Sequence, residues 1–381
     1  MKRFFTASLI SVSLLGILLN PSCKKKEDPD PTPPDSTFVQ KVDKILQDTM
    51  AKYGIAGATM YVEDVQGNVA WISAGMADNE QQIPLNPETK FRVASISKTF
   101  LAVVVLQLME EGMFALDNKY ADYLADSIVA LYPYGSEVTI RQLLEHTSGI
   151  YDFEDMQFIA MLLGDPTHHW TPWELLVYAA TADSAHFDPP GTLYHYSNTN
   201  YILLGQLVEK VTGVSMQENI RDRVLTPLQL QNTFSGGLEA VPQSNYANGY
   251  VDIPGMLQMT VNDQTLPLYF EWAHGQMIST AHDLYIFYNA ILNKDLFQNQ
   301  STLDAMIECS ALSNGTYGMG IAKNSQQLGY GHAGETLGFI SFASVNPETG
   351  STIVLLYNTQ DHDFQGAMVK AIYFLIYPEE G

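Results

Sequence analysis

The strand-forming segments of this chain lie at its two ends, with a long helical stretch between them. Near the start, "GATMYVEDVQGNVAWISAGMAD" (57–78) reads as two strands around a turn at Gln66-Gly67-Asn68. Near the end, "TYGMGIA", "GYGHAGE", "GFISFASVN" and "STIVLLYN" read as consecutive strands, with a turn at Pro347-Glu348-Thr349-Gly350. Helical spacing over 38–53 precedes the first pair, and a last helix over 364–377 closes the chain. Residues 139–234 are mostly helical by pattern, with breaks at Gly149, 164–166 and 188–191. This order predicts an α/β (α+β) fold. The N- and C-terminal parts meet in one antiparallel sheet flanked by helices, and a mostly helical lobe over about 115–235 covers it. A cleft between sheet and lobe is the natural place for a site.

One helix in this scheme is unusual at its mouth. The apolar run 100–109 predicts a buried helix that begins near Ser95, in "FRVASISKTF" (91–100). Ser95 and Lys98 are three apart, so a helix puts them on one face, about 4.5 Å apart along the axis. Ser97 has Phe100 at that offset, so Ser95 is the serine to watch. A second Ser-x-x-Lys, at Ser22 and Lys25, falls in a segment of a different kind.

Residues 1–22 read as a lipoprotein-type signal peptide. Lys2 and Arg3 supply positive charge, 4–19 is apolar without a charge, and Cys23 follows a small residue. Lipidation of Cys23 is the first reading, with plain secretion and an uncleaved anchor as rivals; 4–19 is short for a span of about 20 residues. The charged, Pro-rich residues 23–37 make a tether without a core. A single domain is expected over 38–381. The formal charge of −23, with no basic run after Lys26, argues against a nucleic-acid partner. Cys309 is the only other cysteine, so the folded part has no internal disulfide to make. The nine histidines lack metal-ligand spacing, and neither a metal nor another cofactor is expected.

Three further pieces carry chemistry. "PPGTLYHYSNTNYILLGQLVEKVTG" (189–213) places Tyr196-Ser197-Asn198 before an amphipathic helix; Tyr246 and Asn248 repeat the spacing without one. "GYGHAGETLGF" (329–339) puts His332-Ala333-Gly334 on a late strand, and "LLEHTSGI" (143–150) ends a helix with Ser148-Gly149.

Ser95-x-x-Lys98, Tyr196-x-Asn198 and His332-x-Gly334, in that order, resemble the three motifs of the penicillin-recognising serine hydrolases. The similar branch holds class C β-lactamases, D-alanyl-D-alanine carboxypeptidases, D-aminopeptidases and related esterases. "HTSGI" and "MISTAHDL" (277–284) share the likeness, which covers about 38–378. The resemblance implies a β-lactamase/transpeptidase-like fold and an acyl-enzyme on Ser95, activated by Lys98 if burial lowers that amine's pKa. Tyr196 would be the second proton carrier, favoured as phenolate by Lys98 and His332. Asn198 would orient Lys98 and the substrate amide. The backbone N–H groups of Ser95 and Glu335 would form the oxyanion hole. Gly334 would let the substrate lie against the strand, with His332 beside it. His146 reads as a structural cap and His195 as an exposed neighbour. Small peptides, esters or β-lactams are the implied substrates, and the lipid anchor on Cys23 the implied membrane contact. Ala333 departs from the family in lacking a hydroxyl for a substrate carboxylate, which weakens the β-lactamase and carboxypeptidase readings. A penicillin-binding or sensing module that never turns over is the alternative.

Overall fold

The computed structural model describes residues 36–378, apart from 237–238 and 254–256. The signal segment, Cys23 and nearly all of the tether therefore lie outside the described residues. The strands are β1 (Gly57–Glu63), β2 (Val69–Asp78), β3 (Ile83–Pro84), β4 (Phe91–Arg92), β5 (Phe234–Ser235) and β6 (Gly249–Ile253). They continue with β7 (Leu257–Val261), β8 (Met277–Ser279), β9 (Ala322–Ser325), β10 (Gly329–Thr336), β11 (Phe339–Val345) and β12 (Thr352–Tyr357). Seven form one sheet in the order β3-β2-β1-β12-β11-β10-β9, antiparallel at every junction. The two ends of the chain thus meet at β1 and β12, where Met60 faces Leu355. This is the mixed α/β architecture expected, an antiparallel sheet flanked by helices.

Burial on both faces explains why β11 and β12 read as unbroken apolar runs: every residue in them is buried. On one face, Phe38, Val42, Leu46 and Met50 of the helix Ser36–Tyr53 pack with Phe364, Met368, Ile372 and Ile376 of the helix His362–Ile376. Each stripe steps by four residues, which keeps it on one side of its helix. On the other face lies the helix Ala281–Leu292, and the helix Ser97–Glu110 joins it through the stacked rings of Phe100 and Phe287, 3.7 Å apart. Ser97–Glu110 is apolar almost all round and buried over most of its length, as a central helix must be. The middle helices begin where side chains can cap them. Thr139 and Thr171 form capping boxes with Gln142 and Glu174, and Asp155 accepts from the Phe158 N–H.

A small sheet, β4-β8-β5, delivers the chain to the central helix. After β4, Ala94 takes φ +47° and a 3₁₀ turn (Ala94–Ile96) leads into Ser97–Glu110. Few residues other than glycine hold that backbone region, so the turn at Ser95 is held by its surroundings.

One expected strand is absent. "TYGMGIA" is strand only from Ala322; residues 318–321 run as a buried loop against the central helix. Gly320 has φ +70°, and a Cβ there would stand 2.4 Å from Ala102 Cβ and 2.8 Å from the Tyr201 hydroxyl. Its carbonyl accepts from Thr99 Oγ1 at 2.8 Å. The apolar character that suggested a strand serves packing on a helix, in a conformation no sheet provides. Gly320→Ala should therefore lower Tm, because the backbone strain alone is worth about 1–2 kcal/mol and the clash adds to it. A melting curve within error of wild type would show that the loop can rearrange freely.

Candidate active site

The Lys98 Nζ donates to Ser95 Oγ at 3.0 Å and to the His274 carbonyl at 2.9 Å. The side chain is fully enclosed, over the rings of Tyr196 (5.0 Å) and Tyr201 (5.6 Å). Burial lowers its pKa to about 8, while the carboxylates of Glu154, Asp152 and Glu271 resist the fall. A neutral amine beside Ser95 is therefore accessible near neutral pH. Ser97, by contrast, uses its hydroxyl to accept the Met277 N–H at 2.9 Å and so ties the helix to β8.

Tyr196 lies in the same cluster. Burial pushes its pKa well above 10, so the phenol is protonated at rest. The Ser95 hydroxyl offsets part of that rise without completing a hydrogen bond, and the Tyr196 hydroxyl has no partner. The expected cationic support for a phenolate is missing from His332, whose pKa burial pushes down to about 4. That imidazole pairs through Nε2 with the Tyr317 hydroxyl at 2.9 Å and through Nδ1 with the Ala333 carbonyl. His332 is thus a neutral hydrogen-bonding group on β10.

Asn198 opens the helix Asn198–Thr212, but no hydrogen bond joins it to Lys98. Its amide donates to Glu154 Oε2 (2.7 Å) and Asp152 Oδ2 (3.3 Å), and its N–H donates to Asp152 Oδ1 (3.0 Å). The His274 carbonyl, on the short helix Trp272–Gly275, is the anchor that Lys98 uses besides Ser95. Gly334 lines the cleft and has a second role. A Cβ there would stand 2.2 Å from the Val93 carbonyl and 3.0 Å from Ser95 N, so the bare position lets β10 approach the Ser95 turn itself. Glu335 follows on the same strand; its carboxylate accepts from Gln360 Nε2 and meets His362 Nε2 at 3.1 Å.

Several site residues escaped the sequence reading. Glu154 and Glu271 are carboxylic acids whose pKa values burial raises to about 8 and about 7, and Asp152 is raised as well. Neighbouring carboxylates push Glu154 further, and Lys98 pulls against them. "YDFED" (151–155) offered no sign that two of its acids turn inward, since acids in turns are usually solvated. His146, at φ +57°, accepts from the Ser197 N–H (3.1 Å) and the Asn200 amide (3.3 Å) and stacks on Tyr196 with centroids 4.2 Å apart. It does more than cap a turn: it fixes the Tyr196-Ser197-Asn198 segment from behind.

These groups border a cleft of about 780 Å³. Ser95, Tyr196, Asn198 and the His332–Thr336 edge of β10 line it, with Glu154 on one wall. Met156, Ile159, Leu162 and Phe270 give an apolar wall near Glu154.

The model of the Beta-lactamase family matches residues 42–373. Among curated proteins, the chain is 26% identical over 340 residues to Protein flp of Staphylococcus aureus, covering 84% of this chain and 63% of flp's length. It is 27% identical over 327 residues to Penicillin-binding protein 4* of Bacillus subtilis, covering 80% of this chain and 69% of that protein. Among solved structures, a D-stereospecific amidohydrolase from a Streptomyces species is 30% identical, with TM-score 0.74 over 87% of this chain and 98% of its own. The D-amino acid amidase of Ochrobactrum anthropi, in complex with L-phenylalanine amide, is 25% identical, with TM-score 0.78 over 91% of this chain and all of its own.

The raised pKa of Glu154 has a measurable consequence. Folded Glu154 keeps its proton up to about pH 8, whereas the unfolded chain releases it near 4.5. Between those values the native state binds more protons, so this group makes stability fall as pH rises. The Tm of Glu154→Gln minus that of wild type should accordingly climb from pH 4.5 to pH 8. A difference flat across that window would mean that Glu154 is already ionised in the folded protein.

Proposed function

The chain belongs to the Beta-lactamase family, a family of serine hydrolases, and on that premise we propose that it hydrolyses small amides carrying a free amino group, through an acyl-enzyme on Ser95. The observation that carries this reading is Lys98 Nζ, 3.0 Å from Ser95 Oγ and made partly neutral by burial, beside a cleft with the Glu154 carboxyl on one wall.

Neutral Lys98 takes the Ser95 proton as Oγ attacks the acyl carbon. The oxyanion falls to the N–H groups of Ser95 and Glu335, each such donor being worth about 3 kcal/mol in the transition state. Tyr196, protonated at rest, gives its proton to the departing nitrogen as the C–N bond breaks. The phenolate then forms beside a Lys98 that has just become cationic, so the supporting charge is made by the reaction itself. Transfer of that proton from Lys98 to Tyr196 restores both groups. In deacylation water loses a proton to Lys98, its oxygen attacks the ester carbon, and Ser95 leaves reprotonated. Tyr196 beside Lys98 favours turnover over a module that acylates and stops.

Glu154 supports the substrate class. Glu154, its side chain 26% exposed at the cleft, has a raised pKa and is costly to ionise alone, but an arriving ammonium makes the carboxylate the better form. The apolar residues beside it would take the amino acid's side chain. A carboxylate-bearing β-lactam meets Ala333 without a hydroxyl, and no lysine or arginine lines the cleft among the described residues. The D-amino acid amides for which the Ochrobactrum relative is named are the first class to test, and the Streptomyces relative is named a D-stereospecific amidohydrolase. An enzyme exported by residues 1–22 and tethered at Cys23 would meet them in the cell envelope.

A fluorophosphonate probe should attach to Ser95, located by mass spectrometry of the digest. Adduct on Ser97, or undiminished labelling of Ser95→Ala, would refute the assignment of the nucleophile. Glu154→Gln should raise KM for amino acid amides about ten- to a hundredfold, the worth of one charged hydrogen bond. Esters without an amino group should keep their KM, and an equal rise for both would remove the ammonium from the reading.

A further inference from the structure

Glu271 stands immediately before the short helix Trp272–Gly275 and is 2% exposed. The acyl-transfer scheme makes no use of it. Its Oε1 accepts from the Thr336 hydroxyl, and its Oε2 has no partner. A Cβ on Gly275 would stand 2.3 Å from Oε2, so the carboxylate folds back over the end of its own helix, where only glycine leaves room. Arg92, likewise enclosed, donates to the Tyr246 hydroxyl (3.1 Å) and pairs with Asp263 (3.0 Å), while its Nη1 is left without a partner. Glu271 and Arg92 are not in ion-pair contact, yet each charge acts on the other, and Glu271 acts on Lys98.

The sequence positions give this cluster its meaning. Arg92 lies three residues before Ser95, on β4. Thr336 directly follows Glu335 on β10. Glu271 lies three residues before His274, whose carbonyl accepts from Lys98. One buried carboxylate therefore touches or faces each of the three backbone elements that assemble the site. We propose that Glu271 is a positioning residue that sets the mutual placement of Ser95, Lys98 and the Glu335 N–H, and that its negative charge acts directly on Lys98. This rests on the acyl-enzyme reading above.

Lys98 is faced from every side by groups that could titrate. Asp152 and Glu154 come from the loop before the helix Met156–Gly164, His146 from the 146–149 turn and His332 from β10. Tyr196 and Tyr201 come from the segment 196–201, and His274 lies on the same element as Glu271. Burial holds His146, His332 and His274 neutral, and Glu154 keeps its proton up to about pH 8, so near neutral pH the charges that act on Lys98 come from Asp152 and, above about pH 7, from Glu271. Removing the Glu271 charge lets the Lys98 pKa fall further. The neutral, proton-accepting amine then persists to lower pH.

The test is the rate of fluorophosphonate labelling of Ser95 across pH, in the whole protein, for wild type, Glu271→Gln and Thr336→Val. Glu271→Gln keeps the shape and removes the charge; the acid limb should move about one unit to lower pH, and the plateau rate should fall roughly tenfold or more from lost alignment. Thr336→Val deprives the carboxylate of its hydrogen bond and makes it easier to protonate, so its limb should move the same way by less. Limbs that coincide with wild type in both variants would overturn the inference, even with a lowered Tm, because the residue would then be structural only. A wild type that takes no label at Ser95 would overturn the acyl-enzyme reading and this inference with it. A labelled wild type with an unshifted Glu271→Gln would overturn this inference alone.

Discussion

Lys98 carries an amine that water does not reach, and much of the site follows from that. An ammonium in the interior costs several kcal/mol unless charges and dipoles replace its hydration. Here the replacements are the His274 carbonyl, two tyrosine rings and the carboxyl groups of Asp152, Glu154 and Glu271. The acids are themselves shielded from water, Glu271 most of all, and resist ionising, so neither side of the cluster is fully charged near neutral pH. Protons can then move between groups of similar affinity over short distances, which is the condition for general acid and base catalysis. Tyr196, with its proton held tightly, enters that exchange as an acid.

Where the sequence was legible, the reason is local. Ser95 and Lys98 announce themselves because a helix converts a spacing of three into a shared face, and the 3.0 Å contact follows. The terminal strands were readable because β-branched and aromatic runs end at turn residues such as Gly67 and Gly350, both at positive φ. Even the meeting of the chain's two ends came from the order of elements. The loop 318–321 was misread because its apolar residues pack on a helix, and composition does not say what a segment packs against.

The acids were illegible for a different reason. Nothing in "YDFED" or in "FEWAHG" distinguishes a carboxyl that turns into the core from one that stays in water. That outcome depends on what the helix Asn198–Thr212 and β10 bring alongside, as the Asn198 amide and the Thr336 hydroxyl show. Gly334 makes the same point from the backbone. Its glycine could be noticed in the sequence, but its cause, the Val93 carbonyl 2.2 Å from where a Cβ would stand, belongs to a residue far away along the chain.

The pairing of β1 with β12 also fixes an order of events in the life of each molecule. During synthesis β1 and β2 emerge early as a two-stranded ribbon, marginal in water, with one long edge open. The partner that closes that edge, Thr352–Tyr357, follows only after the whole helical middle of the chain has been made. Contacts so distant along the chain are slow to form, because the loop they close must be ordered first. Until that partner is made, β9, β10 and β11 can pair only among themselves, and the strand that carries Gly334 is not yet joined through β12 to β1. The nucleophile, the amine and the strand come together only when the sheet is complete, so an unfinished chain has no assembled site with which to attack an acyl group.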